Sequence, residues 1–124
     1  MALDLSPNAL AEYKEGARRR EFARQSKLDE QFEQAWAIAR QGATLLKREF
    51  GTQKVAAFGS LIKKSRFHEH SDIDLAVWGI AEKDYLRALG RLLDLTTEFS
   101  IDLVRVEEAR AYLRRVIDAE GVLL

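Results

Sequence analysis

Val55-Ala-Ala-Phe-Gly59-Ser60, followed twelve residues after that serine by Asp72-Ile73-Asp74-Leu75-Ala76-Val77, decides the fold of this 124-residue chain. The first stretch belongs to an apolar run, Lys54–Phe58, that ends on Gly-Ser and reads as a strand. The second alternates charged and apolar residues up to Trp78 and Gly79, and reads as another strand. On it Asp72 and Asp74 share one face, about 6.6–6.8 Å apart along the axis. Ile73, Leu75 and Val77 take the opposite, buried face. Residues 101–106 read as a third strand, with Asp102 set between Ile101 and Leu103.

Helical periods surround these strands. Ser6-Pro7 is a start signal, with serine capping and proline in the first turn. A first helix is expected over 8–24, with a weak apolar stripe of Leu10, Tyr13 and Ala17. Its other face carries Arg18, Arg19, Arg20 and Arg24 and reads as solvated. A second helix is expected over 28–50, with Leu28, Phe32, Ala35, Trp36, Ala39, Ala43, Leu46 and Phe50 at helical spacing. Gly51 stands where a helix terminates. Further helices are expected over 82–97 and 107–120, and a short strand after Gly121. Trp36, Trp78, Tyr85 and Tyr112 read as packing residues. Strands alternating with helices give an α/β sandwich around a small mixed sheet. The N-terminal helices then cover one sheet face or extend toward a partner.

Composition narrows the function. Hydrophobic residues make up 47%, enough for one core. Twenty basic residues balance twenty acidic ones, which excludes a uniformly basic polyanion binder and an acidic disordered tail. Direct nucleic-acid binding therefore finds no support in the overall charge. With no cysteine, disulfides, zinc–thiolate sites and thiol nucleophiles are excluded. No apolar run reaches the roughly 20 residues of a membrane span. The start, Met1-Ala-Leu-Asp-Leu-Ser-Pro, lacks a signal-peptide pattern, so a soluble cytoplasmic protein is expected. The balance is local as well as global: residues 51–70 hold four basic and one acidic side chain, and residues 71–124 hold seven and eleven.

The acids carry the candidate chemistry. Paired carboxylates repel and resist desolvation, and a divalent cation between them relieves both. Mg²⁺ takes oxygen ligands from one or two carboxylates, water and phosphates. A bare Asp-X-Asp also suits a solvent-facing strand edge. Gly59 permits close backbone approach, and the N–H groups of Gly59 and Ser60 can cradle phosphate, although a simple turn reads the same way. Lys63, Lys64 and Arg66 add positive charge to the loop. If the third strand neighbours the second, Asp102 joins Asp72 and Asp74, as two-metal transfer requires. Asp102 is then the candidate base or a ligand of the second metal. His68 and His70 read as an exposed loop pair. No P-loop pattern occurs.

These three segments resemble the minimal nucleotidyltransferases of the polymerase β-like superfamily. Their pattern is a strand ending in Gly-Ser, a loop of about a dozen residues, Asp-X-Asp and a later strand aspartate. The resemblance covers residues 54–124. It implies the polymerase β-like fold, with a two-helix extension over 1–50 and a nucleotidyltransferase domain over 51–124. It implies ATP as substrate with Mg²⁺, as two ions. Gly59, Ser60 and Lys63 would hold the nucleotide, and Asp72, Asp74 and Asp102 the metal. Stand-alone members of this size are similar to antitoxins that move AMP onto a tyrosine of a HEPN-type toxin, in homo- or hetero-oligomers. The alternative is a non-catalytic module that neutralises its partner by binding. One departure is visible: the family's Ala-Arg-Gly after Gly-Ser is replaced by Ile62-Lys63-Lys64. Lysine supplies charge there without bidentate geometry.

Overall fold

The computed structural model describes residues 6–124. The leader-free reading of the chain's start bears on residues 1–5, outside the described residues.

Helix α1 runs unbroken over Pro7–Phe50. Two helices were expected here, and they are one. The sequence at the expected break, Arg24-Gln-Ser-Lys-Leu28, holds neither Gly nor Pro. Glu21 holds Arg24 through two hydrogen bonds, and Gln25 donates to Asp29, so side chains bridge the junction. The Ser6 hydroxyl accepts from the Ala9 N–H at 3.2 Å, capping the start. Gly51, at φ 62°, ends the helix in the left-handed region.

The remaining elements are β1 (Lys54–Phe58), β2 (Ile73–Trp78), α2 (Tyr85–Leu93), β3 (Ile101–Arg105), α3 (Ala111–Glu120) and β4 (Val122–Leu123). The strands form one mixed sheet in the order β3-β2-β1-β4. β1 is antiparallel to β2 and β4, and β2 is parallel to β3. Two helices are shorter than expected. α2 stops at Leu93, before the poor helix formers Thr96 and Thr97. α3 starts only at Ala111 because the Glu107 carboxylate accepts from the Gly79 N–H at 2.7 Å. That strap holds Val106–Glu108 in a single 3₁₀ turn.

The sheet divides two cores. On one face, Val55, Ala57, Ile73, Leu75, Val77, Ile101 and Leu103 pack with Ala35, Ala39, Ala43 and Leu46 of α1 and with Ala88 and Leu92 of α2. On the other, Ala56, Phe58, Ala76 and Val106 meet Ile117 of α3. α1 therefore does both things expected of the N-terminal helices: its last four turns cover a sheet face, and its first half extends beyond it. Tyr85 packs against the main core and donates its hydroxyl to the Leu103 carbonyl at 2.7 Å. Trp36 stacks edge-on against Phe32, and Trp78 lies beneath the Lys54 ammonium. Tyr112 departs from expectation: it is 71% exposed, because Leu113 and Ile117 set the inward face of α3.

Candidate active site

The register across the sheet assembles the acids. Phe58 pairs with Asp74, and Asp74 pairs with Asp102. All three lie on the face that carries α3. Neighbouring strands sit about 4.8 Å apart, so the Asp74 and Asp102 carboxylates are immediate neighbours. Asp72, one residue before β2, shares their end of the sheet. Asp74 is half-buried, while Asp72 and Asp102 are exposed. Asp102 lies in its strand between Ile101 and Leu103, as expected, and is exposed because it falls on the thinly covered face.

Asp74 shows what this crowding does. Its carboxyl is pushed up to about 6, first by burial, then by the Asp102 and Asp72 charges and a hydrogen bond with Asp102. A carboxylate raised by two others is a site short of positive charge. Hard oxygen donors fit Mg²⁺. Among the described residues, no three His, Cys, Asp or Glu side chains already close on one point as a metal cage.

Gly59 joins this cluster from β1. Its φ is 76°, a left-handed value that disfavours any side chain. A Cβ at this position would also collide with the Asp74 carboxylate. The backbone of the Gly-Ser turn thus lies directly against the central acid. A 3₁₀ turn, Gly59–Ile62, starts there, with no side chain capping it and with buried Leu61 as its anchor. Ser60 is half-buried in this turn, and exposed Lys63 follows in extended conformation.

The loop cations separate in role. Lys64 pairs with Asp29 of α1 at 3.1 Å, and Arg66 with Glu120 of α3 at 3.3 Å. Lys63 has no ion pair among the described residues. The Lys64 and Arg66 tethers were not readable from the sequence, since their partners lie 35 and 54 positions away. Ser71 was also missed. Buried, it accepts from the His68 N–H at 3.0 Å and closes the turn that delivers Asp72. Its signal was a serine just before Asp-X-Asp, a turn-former's position. His68 and His70 are exposed, as expected.

The family model described as Polymerase beta, Nucleotidyltransferase matches residues 41–124. No curated protein matches the chain by sequence. Among solved structures, a toxin–antitoxin crystal structure with AMP-PNP aligns with TM-score 0.56 at 23% identity, over 67% of this chain and 69% of that one. The MntA-HepT toxin–antitoxin structure aligns with TM-score 0.54 at 20% identity, over 71% and 69%. A variant of that complex with two aspartate-to-glutamate substitutions aligns with TM-score 0.54 at 21% identity, over 64% and 66%. The chain spans about two thirds of the length of these matched chains. Their likeness is one of fold: the small mixed sheet and its helices are those of the polymerase β-like nucleotidyltransferases. With the family model matched over most of its length, the chain belongs to the polymerase β nucleotidyltransferase family.

Proposed function

We propose that this protein is an antitoxin that transfers AMP from ATP to a tyrosine hydroxyl of a HEPN-type toxin. The observation that carries this reading is Asp74, paired with Asp102 across the sheet and pressed against the turn that begins at Gly59. The fold supports it as well, since its structural neighbours are toxin–antitoxin complexes and one was crystallised with AMP-PNP.

The residues divide the work. Backbone N–H groups at Gly59 and Ser60 bind phosphate oxygens, and Lys63 adds the charge that Lys64 and Arg66 have committed elsewhere. Asp72, Asp74 and Asp102 would hold Mg²⁺, which when bound neutralises the triphosphate and favours ionisation of the attacking hydroxyl. Exposed Asp102 is open to an incoming acceptor and can take its proton. The tyrosine oxygen then attacks the α-phosphorus, the bond to the β-phosphate breaks, and pyrophosphate leaves.

The test is incubation with ATP, Mg²⁺ and the product of the neighbouring gene, followed by intact-mass spectrometry of that partner. One or more added AMP groups are expected, lost in Asp72→Ala and Asp74→Ala. A partner of unchanged mass that is nevertheless neutralised would establish the second reading, a binding module. The exposed first half of α1 is the observation that favours that alternative.

A further inference from the structure

We propose that α1 pairs two copies of this chain: the first half of α1 from one copy lies antiparallel in a groove along the second half of α1 of the other. The helix spans Pro7–Phe50, but its buried residues begin only at Ala35. The groove consists of two cavities that share Leu95. Gln34, Ile38 and Phe99 are among the residues lining one, of about 440 Å³. Gln41 and Leu45 are among those lining the other, of about 500 Å³. At 3.6 residues per turn, Gln34, Ile38, Gln41 and Leu45 fall in one sector of the helix, about 110° from the stripe that covers the sheet. In the first half of α1 the same sector holds Ala9, Tyr13, Gly16, Arg20, Ala23 and Lys27.

Charge sets the direction and the register. Along α1, residues 7–17 hold one basic and two acidic side chains, 18–27 five and one, 28–34 none and three, and 35–50 three and one. Antiparallel pairing about residue 27 sets 18–27 against 27–36 of the second copy, and 7–17 against 37–47. Each segment then faces one of opposite sign, whereas parallel pairing would stack 18–27 on itself. The match survives the pairs made within one chain. Arg19 is held by Glu15, Arg24 by Glu21, Asp29 by Lys64 and Asp94 by Arg91. Arg20, Lys27, Glu30, Glu98, Glu12, Arg40 and Arg48 have no ion pair among the described residues. Arg20 falls opposite Gln34 of the second copy, which shares its cavity with Glu98. Lys27, at the twofold axis, lies within a turn of Glu30 of the second copy. Glu12 falls at a height between Arg40 and Arg48 of the second copy, both of which line the other cavity.

Size agrees with this register. Ala9 falls opposite Leu45 of the second copy and Gly16 opposite Ile38, small against large. A Cβ at Gly16 would meet only the Arg20 Nη1, at 3.3 Å, the far end of a flexible side chain. The two helices overlap over about 60 Å, and a seam about 10 Å wide on each buries on the order of 1,200 Å², where specific interfaces begin. A nucleic-acid strand would answer the cations of 18–27 and leave the groove empty. A second copy answers both.

The test is sedimentation of the full chain over a range of concentrations, with cross-linking to fix the direction. A reversible monomer–dimer equilibrium is expected, weakened by salt. Hydrogen exchange over residues 10–22 should be fast in the dissociated chain and slowed in the dimer. Arg20→Glu and Glu98→Arg should each raise the dimer Kd at least about tenfold, and an equimolar mixture of the two variants should recover it. Both positions are exposed, and thermal midpoints check that each variant is folded. The chain has no cysteine, so single substitutions report one contact each. Lys27→Cys should give a disulfide-linked dimer on mild oxidation, and Ala23→Cys should not, because antiparallel strands of the seam hold its two copies about 12 Å apart along the axis. A monomer at all concentrations up to about 100 μM overturns the proposal, whatever else the first half of α1 then binds. So does a dimer that cross-links through Ala23→Cys and not Lys27→Cys, or one whose Kd ignores both charge reversals.

Discussion

Asp74 is held protonated to about pH 6 by burial and by the charges of Asp102 and Asp72. In the unfolded chain it titrates near 3.8. Below pH 4 both states carry the proton, and Asp74 costs nothing. As pH rises from 4 to 6 the folded state retains a proton that the unfolded state has lost, so stability falls. Above 6 the full penalty stands. Two pK units correspond to ~3 kcal/mol, and solvent screening of this half-exposed group reduces that to ~1 kcal/mol. Asp74→Asn should therefore raise the thermal midpoint at pH 7.5 by roughly 4 °C. The gain should vanish at pH 4, and an equal gain at both would place its origin in packing. Gly59 gives a second comparison. Gly59 and Gly51 both have left-handed backbones, but a Cβ at Gly51 meets nothing within 4 Å, whereas one at Gly59 meets Asp74. Gly51→Ala should cost ~1–2 kcal/mol from strain alone. Gly59→Ala should cost more, as measured by urea unfolding, because the carboxylate must also move. Equal losses would show that the turn does not press on Asp74.

At the scale of the element, α1 is two environments in one helix. Its 44 residues span about 66 Å, yet its buried residues begin only at Ala35. Helix formation without packing is marginal. Hydrogen exchange should therefore be graded along α1, fast at the amides of 10–22 and slow at those of 35–48. Uniform protection would require a contact along the first half. Gly42 marks the packed end: a Cβ there sits 3.0 Å from Leu92 and 3.2 Å from Leu75. Gly42→Val should destabilise by ~1–3 kcal/mol through overpacking. What the sequence revealed follows the same division. Strands bounded by Gly59 and Gly79 were legible because glycine punctuation closes an apolar run in the first and an alternating pattern in the second. The stripe Ala35, Ala39, Ala43, Leu46 was legible because one face is fully buried. The union of the two helices was not, since an exposed segment has no core to impose a pattern. The start of α3 was hidden for another reason: Glu107, an apparent first-turn acid, is occupied by the Gly79 N–H, 28 positions earlier.

For the whole molecule, the aspartates were legible as a pattern, and their meeting depended on strand order. Parallel pairing of β2 with β3 was needed to bring Asp102 beside Asp74. The loop between Gly59 and Asp72 shows what no pattern could reveal. Lys64 ties it to α1 on one side of the sheet, and Arg66 ties it to α3 on the other. Both pairs are largely exposed, so each contributes at most ~1 kcal/mol to stability. Their larger effect should fall on binding. With both tethers intact the loop is already ordered, and on the proposed reading a nucleotide bound by Gly59, Ser60 and Lys63 would find its site formed. With both removed, the cost of ordering the loop moves to the binding step. Lys64→Ala with Arg66→Ala should shift the thermal midpoint by only a few degrees. The same double substitution should raise the Kd for ATP with Mg²⁺ about three- to tenfold by calorimetry, equivalent to ~0.7–1.4 kcal/mol. Lys63→Ala should weaken binding by direct loss of charge and leave the midpoint unchanged, because it breaks no ion pair. If the tether variant bound nucleotide like wild type while Lys63→Ala did not, the loop would be shaped by Leu61, Phe67 and Ser71 alone. These three buried residues would then be the frame that presents the Gly-Ser turn to the acids.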